Sequence, residues 1–581
     1  MSLEKLPTEL HLEITSGLTY ASLSALTRTY KSLHNQISPL LWSHLQFGPP
    51  TTAVDIFQER AFPLQPSPPY ICPLSAAPTC DCADQCVKYM NERGILTFYS
   101  ALRRGLVRDE MLALVRSLEV RGGMLAGCFS PPSREYTLGE IYSLRDLEHG
   151  EFVFVFRRLL RERMTGLKCI RIVYDRYPDQ DHFETELRAT QISRNFCQIV
   201  GAYAAAHPRV QVKISTTDFA LVRSLFGVLK GPPRVTSLKM SIYQRSAMLE
   251  KFKECVLPAL AANLEQLTLL AGGSQSNRIW EHSSGASSHV APGVFDDEEF
   301  FSNFRFQRLK SVEYSAELFT FGWVPEGVQR LCVRHSGTPH PRWWKSLAKH
   351  SLRKLEKLEI WYDCSSPMPS GAESPEEDAE DDETPVDFSI CFRDLKALVI
   401  AQSPPYTGYI THPQESPPSS ATLRESVIRA NPQLKEVFLE YASLGTLSAL
   451  SARGRLRSLT VQSTLYRVFQ HPHALQLFPN LRELAWLHIC VQDRLGSAFP
   501  TAEVLAGLAR YCRKLSWIAM EDRRGMEVPE LKECCESGLV APMKQEQYEC
   551  LSGLCRRSDM PQIWVFRLDV WRERNWELVG G

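Results

Sequence analysis

Twelve times along this chain the same six-residue frame returns: apolar, two of any kind, apolar, one of any kind, apolar. It reads LKCIRI from Leu167, VTSLKM from Val235, LEQLTL from Leu264, LKSVEY from Leu309, VQRLCV from Val328 and LEKLEI from Leu355. It continues as LKALVI from Leu395, LKEVFL from Leu434, LRSLTV from Leu456, LRELAW from Leu481, LSWIAM from Leu515 and IWVFRL from Ile563. The second half of each copy alternates apolar and free positions, which suits a strand buried on one face only. A period of this kind is the mark of units that bury a core by stacking on one another.

Between copies lie helix-like stretches, among them "LFTFGWVPEG", "HPRWWKSLAKHS", "ATLRESVIRANP" and "TAEVLAGLARYCRK". Strand, connection, helix, strand is the order of a parallel α/β arrangement. The frame resembles the leucine-rich repeat, L-x-x-L-x-L, over residues 150–581. That resemblance implies an irregular solenoid with a parallel sheet, whose free strand positions and loops form a wide protein-binding surface. The copies depart from the family in lacking its Asn or Cys three residues after the last apolar position. Their spacing is also uneven, nineteen residues from Leu309 to Val328 but forty-five from Leu264 to Leu309. Lys168, Arg171, Glu265, Gln266, Lys310, Glu356, Lys357, Glu359, Arg457, Arg482 and Glu483 occupy free positions of the frame and make a mixed polar surface.

The first residues carry a different signal. In "KLPTELHLEITSGL" Leu6, Leu10, Ile14 and Leu18 stand four apart and form one stripe of a helix, with Pro7 suited to its first turn and Gly17 to its end. Leu23, Leu26, Tyr30, Leu33 and Ile37 recur at three or four residues, and Ser38-Pro39 is a helix start ahead of Leu40, Leu41, Trp42 and Leu45. About 45 residues of this kind bury only part of their apolar surface, so something else must cover it. Leu6-Pro7-x-Glu9-Leu10-x-x-x-Ile14, then Leu18, Leu23-x-x-Leu26 and Leu40-Leu41-Trp42, resemble the F-box in order and spacing. The resemblance implies a three-helix module over residues 1–47 that docks on a Skp-family adaptor and through it on a cullin. By the family's pattern Leu6, Pro7, Leu10, Ile14, Leu40, Leu41 and Trp42 are the adaptor-binding residues.

Residues 48–150 read as a Pro-rich connector followed by the start of a second domain. "SLEVRGG" within it is strand-like and stopped by Gly122 and Gly123. Residues 151–581 are then the leucine-rich-repeat-like substrate-binding region. Within it "GAESPEEDAEDDETP", residues 371–385, holds eight carboxylates and no Lys or Arg, and reads as a disordered acidic insertion. It contains Ser374, where a phosphate would add little to charge already present.

Lys plus Arg and Asp plus Glu both total 66, which removes any global electrostatic reason to expect nucleic acid or an anionic membrane as partner, though not a local patch. No run has the length of a membrane span and the start carries no signal peptide, so the expectation is a soluble cytoplasmic or nuclear protein. There the 17 cysteines are expected as thiols. Cys72, Cys80, Cys82 and Cys86 crowd together, but not at the spacing of paired C-x-x-C knuckles, and no metal or cofactor is expected. No phosphate-binding loop, H-E-x-x-H, G-x-S-x-G or kinase set appears, and His11, His34 and His44 read as structural. The expected role is therefore a non-catalytic substrate receptor of an SCF-type ubiquitin ligase. Its rivals are an F-box interaction scaffold without a ligase role and an enzyme whose site is assembled from distant loops.

Overall fold

The computed structural model describes residues 38–39, 42–47, 107–121, 156–174, 197–216, 222, 234–242, 252–271, 306–319, 322–335, 341–349, 352–362, 394–402, 425–441, 444–452, 455–463, 484, 486–491, 508–522, 540–542, 562–569 and 572. The chain divides into two compact units, Met1–Thr268 and Leu269–Gly581.

In the first unit β1 (His44–Phe47), β2 (Ser117–Arg121), β3 (Cys169–Tyr174), β4 (Gln211–Thr216) and β5 (Val235–Ile242) each pair in parallel with the next. The division between units falls within β6 (Gln266–Ala271). In the second unit β7 (Ser311–Ser315), β8 (Arg330–His335), β9 (Lys357–Tyr362) and β10 (Ala397–Gln402) are again successive parallel neighbours. So are β11 (Glu436–Tyr441), β12 (Ser458–Ser463), β13 (Trp486–Val491) and β14 (Trp517–Asp522). Two antiparallel strands follow, β16 (Gln562–Arg567) beside β14 and β15 (Val540–Pro542) beside β16.

Parallel neighbours cannot be joined by a hairpin, so the chain must return between them. With right-handed crossovers and a strand order that never reverses within the parallel run of a unit, the returns fall on one face of the sheet. Burial follows that asymmetry. Ile170 and Ile172 of β3, Leu331 and Val333 of β8, Leu358 and Ile360 of β9, and Leu398 and Ile400 of β10 are all exposed by 3% or less. The described return segments bury their own apolar sides: α1 (Asp109–Ala113), α2 (Leu257–Ala261), α3 (Pro341–Ala348), α4 (Leu444–Ser451) and helical residues 197–206, 425–430 and 508–511.

The frame's first apolar residue closes a short turn that aims the strand. The amides of Leu167, Leu355, Leu434 and Leu515 donate to the carbonyls of Met164, Leu352, Asn431 and Cys512, at 3.0 to 3.4 Å. Asn431, fully buried, also ends its helix by donating from Nδ2 to the Val427 carbonyl at 2.6 Å. Ahead of β8 the reversal uses Gly327, whose φ of 85° lies in the left-handed region that other residues avoid.

The structure thus contains the α/β arrangement with parallel strands, and it corrects several details. Among the described residues parallel pairing is already present at His44, ahead of residue 151. β4 falls at "QVKIST", which lacks the frame's leading apolar residue. The copy placed at Leu481 sits three residues later, as Leu484-x-x-Leu487-x-Ile489, with Leu484 and Leu487 wholly buried and Ile489 opposite Val461. The last copy, from Ile563, is a strand but an antiparallel one. Among the described residues of "LFTFGWVPEG" there is no helix beyond the short turn Ala316–Leu318, and Phe319 and Trp323 pack face to face, centroids 5.2 Å apart.

Candidate interaction surface

Of the residues assigned to the adaptor, Leu6, Pro7, Leu10, Ile14, Leu40 and Leu41 lie outside the described residues. So do Arg482, Glu483, the four clustered cysteines and the acidic stretch 371–385. Trp42 is described: it is helical, its side chain is half-buried, and it stands two residues before β1. Ser38 is buried and Pro39 exposed in the helical turn that precedes it. The segment enters the sheet directly, His44 standing opposite Ser117 and Phe47 opposite Val120.

The face turned away from the leucine core presents the frame's free positions, and its character changes along the sheet. In the first unit the carboxylate of Glu119 is nearly closed off, its side chain 5% exposed, and Arg171 on the next strand reaches it at 3.3 Å with more than half of its own side chain in solvent. In the second unit Arg334 Nε donates to Glu313 on the neighbouring strand at 2.6 Å. Glu359 accepts from Lys357 Nζ at 2.8 Å and from Trp361 Nε1 at 3.1 Å. Further on, the mid-strand free positions of β10 and β11 are apolar and closed. Val399 and Phe438 are 2% and 5% exposed, and the Trp361 ring meets Phe438 edge-on with centroids 5.5 Å apart.

Lys168, Arg171, Gln266, Lys310, Glu356 and Arg457 are exposed as the frame predicts. Glu265, Lys357 and Glu359 are half-buried, because neighbouring strands stand only about 4.8 Å apart and long side chains lie across one another. Sequence reasoning passed over Val399 and Phe438, although an apolar residue at a free position of the frame was a readable sign of a second buried face.

Beneath β7 and β8 lies an aromatic cluster that the frame alone does not announce. Tyr314, fully buried, packs on Phe319 at 4.9 Å and on Trp323 at 6.2 Å, while His335 meets Trp343 edge-on at 5.0 Å. Burial pushes the Tyr314 hydroxyl well above its ordinary range, with the neighbouring Trp343 indole opposing the shift. His335 keeps a little accessible surface as a residue, but its Nε2 is closed off without a hydrogen-bond partner. Desolvation lowers its pKa to about 3, so it stays neutral at physiological pH. Cys512, wholly buried, is pushed up to about 12 by desolvation, against the opposing charge of Arg572, and holds no thiolate. Cys169, Cys197, Cys332 and Cys512 are not joined in disulfides.

Among the described residues no group of three His, Cys, Asp or Glu side chains is disposed to hold a metal, and no helix is long and apolar enough to cross a membrane. Comparison with known proteins finds no family model that matches the chain and no curated relative with significant similarity.

Proposed function

We propose that this chain is the substrate-recognition subunit of an SCF-type ubiquitin ligase. Its N-terminal F-box-like helices dock on a Skp-family adaptor and through it on a cullin, and its leucine-rich-repeat-like strands hold a protein target in the cytoplasm or nucleus. The chain contributes no catalytic group. Its part is to hold the target near the ubiquitin-charged enzyme, so that proximity supplies the rate.

One observation carries this reading further than the motif alone. The segment bearing Trp42 has no linker before the sheet: His44, two residues on, is already paired with β2. An adaptor contact at Trp42 would therefore be transmitted to the first strands without an intervening linker. A receptor that must keep a fixed distance between target and charged enzyme needs that continuity.

The test is affinity purification of the full chain beside the variant Leu10→Asp, Trp42→Ala, with the adaptor and cullin detected by mass spectrometry and the retained proteins assayed for ubiquitination. The reading expects adaptor and cullin with the wild type and their loss with the variant. Retention by the variant would undo the residue assignment. Adaptor capture with no ubiquitinated companion would leave an interaction scaffold in place of a ligase subunit.

A further inference from the structure

We infer that the strand-start rim of the second unit is a binding site for an acidic polypeptide segment. The residue just before each strand from β7 to β12 is Lys310, Gln329, Glu356, Lys396, Lys435 or Arg457. A backbone ladder joins them without a gap, each carbonyl accepting the next residue's amide, at 2.8, 2.8, 2.7, 2.8 and 2.7 Å in turn. Parallel strands stand about 4.8 Å apart, so the six side chains leave one end of the sheet as a row roughly 24 Å long.

The row is strongly positive although the whole chain is neutral. Four of its six members are Lys or Arg, and Arg330, Arg353 and Lys354 stand beside them. Lys310, Arg330, Arg353, Lys354 and Arg457 are exposed and form no ion pair among the described residues. The acidic residues that interrupt the row are few. Glu356 is engaged by Lys396 at 2.8 Å, with both side chains about half exposed. An exposed pair of that kind is weak, so an incoming carboxylate displaces it at little cost.

Three observations favour a polypeptide over other anions. Among the described rim residues none is an exposed aromatic on which a base could stack, as single-stranded nucleic acid requires. The apolar residues that alternate with the rim, Leu309, Val328, Leu352, Leu355, Leu395 and Leu434, are at most 6% exposed, so the rim offers a lipid surface no apolar anchor. Glu326, Glu356, Asp394 and Glu436 break the positive row, and a peptide can space its carboxylates around them where a uniform phosphate backbone cannot. The site belongs to the second unit alone and stands apart from the adaptor reading, because no N-terminal residue takes part in it.

The experiment is fluorescence anisotropy with the full-length protein and a labelled peptide of repeated Glu-Asp-Gly-Ser units, with labelled oligouridine of equal charge as the second probe. Combining Lys310→Gln, Arg330→Gln, Arg353→Gln, Lys354→Gln and Arg457→Gln is expected to weaken peptide binding about tenfold or more. Arg158→Gln with Arg161→Gln, exposed sites in the first unit, should leave it unchanged. Circular dichroism checks each variant's fold. The five-fold change to Glu should reject the acidic peptide and bind a Lys-Gly-Ser peptide instead, which loss of folding would not produce. Peptide binding unaltered by the rim variants, or oligouridine bound more tightly and lost in the same variants, would overturn the assignment.

Discussion

On the face turned away from the leucine core, β7 to β9 present Glu313, Arg334, Lys357 and Glu359, half-buried and paired with one another, while the next two strands present Val399 and Phe438 and bury both. The register makes this a like-for-like comparison. Glu313, Cys332, Glu359, Val399 and Phe438 are successive partners along one row of the sheet. One backbone row therefore passes from a solvated, ion-paired surface to a closed apolar one. Burial on this face is decided by the side chain each strand brings, whereas on the leucine face the strands from β7 to β11 are buried alike. The first stretch can exchange its partners for those of another molecule; the second contributes to stability.

The comparison can be broken most forcefully by writing the charge of β9 into β10. Val399→Glu places an unpaired carboxylate where exposure is 2%, and should lower stability in urea by about 4 kcal/mol. Phe438→Ala removes the ring against Trp361 and should cost about 3 kcal/mol by the same measurement. A loss under about 1 kcal/mol from both would erase the difference between the two stretches.

Acid should probe the aromatic cluster under β8. Below about pH 6.5 the unfolded chain takes up a proton on His335 that the folded chain refuses until about pH 3. Stability should fall as pH drops through that window, by about 3 kcal/mol at pH 4 compared with pH 7. His335→Phe should flatten this part of the profile. The smallest effect belongs to the paired stretch: a double-mutant cycle on Glu313 and Arg334 should give a coupling of about 0.5 to 1 kcal/mol, shrinking with salt.

Most of the strands were legible because an alternating apolar pattern reports burial on one side, and Leu398, Leu358 and Leu331 occupy matching places in their frames. Direction was not legible, since alternation looks the same in a parallel or an antiparallel strand; the strand at Ile563 shows it. Register was ambiguous wherever leucines recur every three residues, as at Leu481, Leu484 and Leu487, and only the pairing of Ile489 with Val461 resolves it. β1 was hidden because "HLQF" is short and adjoins a helical cluster rich in leucine. The rim emerges only once the turns are aligned, because Lys310 and Arg457, 147 residues apart in the sequence, become the two ends of one row through the hydrogen-bonded ladder alone. Six of the seven adaptor-binding assignments rest on the motif; Trp42 is the one with described surroundings.

A parallel array leaves its last strand with a row of unused amides and carbonyls, an invitation for another chain to pair there. Here β16 runs the opposite way along β14 and takes up that row, and among the described residues what lies beyond it is the three-residue β15, whose Pro542 has no N–H to offer. The second unit is thus blunted on that side, which guards crowded copies of the protein against zipping together strand by strand into fibres or aggregates.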